Sequence, residues 1–127
     1  DYMMHAYGLM LGQSYLGRRV YDVLCTMDLL CHEGATSIHL VGRGQGAIIA
    51  LLSALFHEQV TALTLVNGPL SWLEWTQTPW VSWPTANFLR GVLGVGDLPD
   101  CVRVVRERVG AEGVQVVEPW GPAMEAE

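Results

Sequence analysis

The chain predicts an α/β fold with parallel strands, and three observations carry the prediction. Residues 38–41, Ile38-His39-Leu40-Val41, form a short, partly β-branched apolar run of the kind that builds strands. A glycine-rich turn, Gly42-Arg43-Gly44-Gln45-Gly46, then opens onto a stretch at 47–57 that is apolar on nearly every side, as a buried helix would be. A second apolar run at 62–66 is stopped by Asn67-Gly68-Pro69, a strong turn signal. Strand, tight turn, helix and strand make one βαβ unit, and such units build parallel sheets.

The flanking segments extend this unit. Residues 16–33 predict a helix, because Val20, Leu24, Met27 and Cys31 follow a three-to-four spacing while Asp22, Asp28 and Glu33 lie mostly off that stripe. Gly34 stands where a helix ends in a left-handed residue. Residues 71–99 hold Trp72, Trp75, Trp80 and Trp83 among prolines and glycines. They read as an insertion packed over the sheet's carboxyl edge. Asp100 is expected to cap a helix running to Val109 and ended by Gly110, and residues 114–118 to form a third strand. The tail, 121–127, is expected to fray. All 127 residues fit one domain.

Composition narrows the function classes. Half the residues are apolar and 16% are charged, which is a globular balance. The net charge of −6 argues against a nucleic-acid partner. Lysine is absent, and Arg103, Arg106 and Arg108, interleaved with valines and Glu107, read as a solvated helix face. The three cysteines show neither metal spacing nor a disulfide framework. His5, His32, His39 and His57 form no ligand grouping, so no metal is expected, and no other cofactor either. The opening residues lack the charged region and cleavage site of a secretory leader. The apolar run 47–56 is too short for a membrane span, which takes about 20 residues. No membrane partner is expected.

The turn at residues 42–46 carries the chemistry. Glycines there permit unusual backbone angles, and a helix start presents unpaired N–H groups to an anion. Two templates compete. The hydrolase elbow G-x-S-x-G holds a serine above the sheet; here it reads Gly42-Arg43-Gly44-Gln45-Gly46, with glycine at the serine position. The dinucleotide motif G-x-G-x-x-G/A is met by Gly42, Gly44 and Ala47. It wants an acid at the end of the next strand for the ribose, and Asn67 stands there instead.

The surroundings of the turn favour the first template. The stretch Leu9-Met10-Leu11-Gly12-Gln13-Ser14-Tyr15-Leu16-Gly17-Arg18-Arg19-Val20-Tyr21-Asp22-Val23-Leu24 resembles the helix before the elbow in acetyl-xylan-esterase-like α/β-hydrolases, relatives of dienelactone hydrolases and prolyl oligopeptidases. Asn67-Gly68-Pro69-Leu70-Ser71-Trp72 and Gly91-Val92-Leu93-Gly94-Val95-Gly96-Asp97-Leu98-Pro99-Asp100 look like later segments of the same group, so the likeness runs over 7–120. It implies a partial α/β-hydrolase fold whose nucleophile position is Gly44 and whose Gln45 N–H would serve an oxyanion. It places the acid near Gly121, with Glu118 the nearby carboxylate, and the family's histidine, which comes after the acid, has no counterpart beyond His57. The strands and loop that open the complete fold would precede Asp1.

The resemblance therefore implies a degenerate or truncated hydrolase-like domain without ester hydrolysis of its own. Its partner would be the missing half of the fold or a second copy. An ester hydrolase completed by residues outside the chain, and a dinucleotide-binding βαβ module, stand as alternatives. Ser14, Ser37, Ser53, Ser71 and Ser82 sit on no glycine elbow. The four tryptophans have two readings: a sugar-stacking platform or acyl-pocket wall, in keeping with a carbohydrate esterase, or a small aromatic core. Arg43 reads equally as an anion holder or as a solvent-facing side chain.

Overall fold

In the computed structural model, which describes residues 2–126, strands β1 (Ile38–Arg43), β2 (Val60–Val66) and β3 (Val114–Val117) form one parallel sheet in the order β1-β2-β3. The helices are α1 (Tyr2–Met10), α2 (Tyr15–His32), α3 (Gln45–Phe56), α4 (Trp72–Gln77) and α5 (Leu98–Val109). The mixed α/β class and the parallel pairing are as the sequence predicts.

Helix α2 starts where Ser14 accepts a hydrogen bond from the Gly17 N–H and stops at Gly34, whose φ is +104°. Helix α3 connects β1 to β2 and packs on both strands, on α2 and on α5. Its Ala47, Ile48, Ala50, Leu51 and Ala54 are buried, and only Phe56, in the last turn, is largely exposed. The Arg108 guanidinium donates to the carbonyls of Ala54 and Leu55, so a cation closes the negative end of α3.

Alternation along the strands gives the sheet two unequal faces. Leu40, Gly42, Leu63, Leu65 and Val114 share the face beneath the helices, with Leu63 fully buried. His39, Val41, Arg43, Thr64, Gln115 and Val117 share the other, where Val41 is 64% exposed. On that face the His39 ring nitrogen Nε2 lies 2.9 Å from the Thr64 hydroxyl. Parallel sheets are ordinarily covered on both faces; here one face is open.

Two expectations need correction, and one helix is new. The N-cap of α5 is Asp97, and Asp100 is its third residue, answering with a hydrogen bond to the Asp97 N–H. Both halves of that reciprocal cap are acidic, so residue type does not tell the N-cap from the third residue. Residues 2–10 form a helix although no amphipathic stripe announces it. The tail does not fray: Trp120 bridges Pro69 and Ala126, the Ser82 N–H donates to the Pro122 carbonyl, and Trp83 donates to Gly121. Asp1 and Glu127 lie outside the described residues.

Candidate functional site

The turn between β1 and α3 is a strand-to-helix elbow. Gly44 is the N-cap of α3 and holds φ +55° and ψ −123°, a conformation that residues with a Cβ rarely adopt. Its N–H donates to the Val66 carbonyl and its carbonyl accepts from the Ala47 N–H, so the neighbouring strand and the helix both fix it. A Cβ placed on Gly44 would meet nothing within 4 Å. The position has room for a side chain, but its backbone would strain any residue other than glycine.

The other two glycines of the turn differ in role. A Cβ on Gly42 would lie 2.3 Å from the Gly46 carbonyl oxygen and 2.7 Å from the Ala47 Cα. Gly42 thus lets the strand end touch the first turn of α3. Gly46 has open space around it and no positive φ, so close approach does not require it. Gly68 supplies a second contact, since a Cβ there would stand 2.6 Å from that of Ala47.

A polar row crosses the carboxyl ends of the strands. Arg43 Nε donates to Asn67 Oδ1 at 3.1 Å, and Asn67 Nδ2 donates to the Glu118 carbonyl at 3.0 Å. Asn67 is buried, with φ +52°, and its N–H reaches the Val117 carbonyl. Asn67 therefore ties the three strand ends together, and its side chain is already engaged where a ribose-binding acid would be needed. Arg43 stays exposed apart from this bond. Glu118 is exposed, with φ +43°. The Gln45 side-chain nitrogen is buried and has no hydrogen-bond partner among the described residues.

The four tryptophans separate. Trp72, Trp75 and Trp83 are each 3% exposed, while Trp80 is 81% exposed. Trp75 stacks on Trp83 with centroids 5.7 Å apart, Phe88 lies 4.9 Å from Trp75, and Trp120 lies 6.4 Å from Trp83. Trp72 and Trp83 donate their indole N–H to the carbonyls of Asn87 and Gly121. Three rings are thus packed together as an aromatic core, and Trp80 alone of the four stands in solvent.

Asp97 ties the two ends of this insertion together, a role the sequence does not single out. Its carboxylate accepts from the N–H groups of Trp72 (2.7 Å), Leu98 (2.7 Å) and Leu73 (3.3 Å) and from the Ser71 hydroxyl. One carboxylate therefore serves the starts of both α4 and α5. Burial pushes the Asp97 carboxyl up, but the Ser71 hydroxyl and the N–H groups of Trp72, Leu98 and Leu73 outweigh it and hold the group below its ordinary range. A depressed carboxyl stabilises the fold above its unfolded value, about 3.9, and this contribution is lost as pH falls through the folded value. Asp97→Ala is expected to cost about 1 kcal/mol for each helix start in urea melts at neutral pH. Asp97→Asn should keep much of the cap while flattening the acid limb of stability. An Asn variant with the wild-type acid dependence would remove Asp97 from this role.

Among the described residues no group of His, Cys, Asp and Glu is placed to hold a metal ion. Burial, followed by the charges of Asp100 and Asp97, pushes the Cys101 thiol up, away from a reactive thiolate. The chain matches no family model, no curated protein and no solved structure.

Proposed function

We propose that the chain is an α/β-hydrolase-like module, akin to acetyl xylan esterases, that does not hydrolyse esters by itself. The observation that supports this reading best is the elbow: Gly44 holds an N-cap conformation that would strain a residue with a Cβ, there is free space for a side chain, and no hydroxyl stands there. In a working elbow the strain exposes a hydroxyl. A base is lacking as well, because no histidine follows His57. The test is labelling of the full chain with a fluorophosphonate beside turnover of p-nitrophenyl acetate. The expected result is no labelled residue and no saturable turnover. Stoichiometric labelling of one serine, lost when that serine becomes alanine, would reverse the proposal.

The role left to such a module is packing against a further polypeptide, either the remainder of a hydrolase fold or a second copy. Two surfaces support this. Helix α1 is apolar all round and buries none of its residues, with Tyr2, Met4 and Met10 more than half exposed. The open sheet face adds Val41, Val66 and Val117. Apolar surface of this kind marks interaction sites. No helix among the described residues is long and apolar enough to cross a membrane. Sedimentation velocity from low to high micromolar concentration is expected to report reversible association, reduced by a Met4→Glu/Met10→Glu double variant. A monomer at all concentrations would leave only the complementary half as partner.

A further inference from the structure

Beyond the elbow, the largest feature of the molecule is a cleft of about 700 Å³ beneath α5, against α3 and the helical face of the sheet. This size falls within the range of small-molecule sites. Its inner end is made by Ile48, Leu51, Leu65 and Leu98, all buried and all without a side-chain hydrogen-bonding group. Its mouth is made by the outer side of α5, where Arg103, Arg106 and Glu107 stand together. Gly44 does not line it.

The mouth has a definite electrostatic sense. Glu107 is occupied by Arg103 at 3.0 Å, and Arg103 also lies 3.7 Å from Asp100. Arg106 makes no ion pair and no side-chain hydrogen bond with any described residue. The inner wall thus offers only apolar contact, and the rim offers one guanidinium whose charge is unmatched. A ligand with several polar groups along its length would bury them without partners, at a cost of about 1–3 kcal/mol each. An uncharged hydrocarbon would leave the guanidinium unused. The ligand that fits both ends has an apolar body and one anionic head, and a guanidinium receives a carboxylate in a two-pronged hydrogen bond.

We propose that this cleft binds an amphiphilic monocarboxylate of the fatty-acid class, chain inward along Leu51 and Leu65 and carboxylate at Arg106. The site is separate from the elbow, so it stands whether or not the elbow reading holds. The experiment is calorimetric and ligand-observed NMR titration of the full chain with decanoate, decanol and decyltrimethylammonium, each below its micelle concentration. Decanoate is expected to bind saturably. Decanol should bind about tenfold more weakly, the worth of a charge-assisted hydrogen bond at an exposed rim. The cationic amphiphile should be weaker still. Arg106→Gln, on the surface, should bring decanoate down to the decanol level without moving the melting temperature. Val102→Trp, which fills the cleft, should abolish binding of all three, with circular dichroism confirming the fold. Equal affinity for decanoate and decanol, or decanoate binding indifferent to Arg106→Gln, would overturn the proposal. So would a cleft closed by a second copy, seen as self-association that Val102→Trp removes and decanoate leaves unchanged.

Discussion

Gly42→Ala is expected to cost about 3 kcal/mol or more, the upper part of the range for forced overpacking. The new Cβ would stand 2.3 Å from the Gly46 oxygen and 2.7 Å from the Gly46 carbonyl carbon and the Ala47 Cα. All three are backbone atoms of the first turn of α3, so no side chain can swing aside. The strand cannot retreat either, because Gly42 is paired with Leu65 and Gly44 is held by Val66. For a domain with a total stability of about 5–15 kcal/mol, this is a large share. Gly46→Ala is the control in the same loop. It meets nothing within 4 Å and lies inside α3, where alanine is favoured over glycine by about 1 kcal/mol. Urea melts of the two variants should therefore move in opposite directions. Parallel losses would mean that the turn, and not the contact between strand and helix, limits stability.

This contrast also marks how far the turn was legible. Three glycines announce an elbow, and the elbow is there, but the sequence treats the three alike. The structure divides them into one positive-φ cap, one close approach and one position with no steric demand. The βαβ unit was readable because each piece carries its own period: the short run from Ile38, the apolar block from Ala47, the run ending at Val66. Helix α1 was not readable as an element in the same way, since Tyr2, Met3, Met4, Tyr7 and Met10 cover all sides and leave no stripe to detect.

The polar groups were the least legible. Asn67 could be seen as the wrong residue for a ribose, but its bonds to Arg43 and Glu118 depend on the register of three strands. Asp97 serves Ser71, Trp72 and Leu73 from 24–26 positions away. Local pattern does not encode such distances, which is why it points to Asp100 and not to Asp97 as the cap. The order of the tail follows from the same long reach, through Trp83 to Gly121. At the turn, residue types disclosed three closely spaced glycines; that Gly44 takes a positive-φ cap conformation required the fold.

Trp83→Ala is the second large effect, expected at about 3–5 kcal/mol for removal of a buried tryptophan. Trp83 is 3% exposed, lies between Trp75 and Trp120, and donates its indole N–H to the Gly121 carbonyl at 2.8 Å. Its loss opens a cavity between the insertion and the residues after β3, and removes one of the two donors to that carbonyl, leaving the Met124 N–H. Trp75 would then keep Phe88 as its aromatic neighbour, at 4.9 Å. Trp80→Ala is the matched comparison in the same segment: Trp80 is 81% exposed, and surface changes of this kind stay within about 0.5 kcal/mol. Thermal melts followed by near-ultraviolet circular dichroism should separate the two variants clearly. Hydrogen exchange should show where the loss falls, because the Ser82 amide, bonded to the Pro122 carbonyl, reports on the joint between insertion and tail, and the Trp120 amide reports on the tail's hold on Gly68. If Trp83→Ala speeds exchange there while the amides of β2 keep their protection, the insertion opens as its own cooperative unit. Equal stability of the Trp83 and Trp80 variants would mean that the stacked rings do not hold the insertion to the sheet, and the aromatic core would have to be abandoned as its anchor.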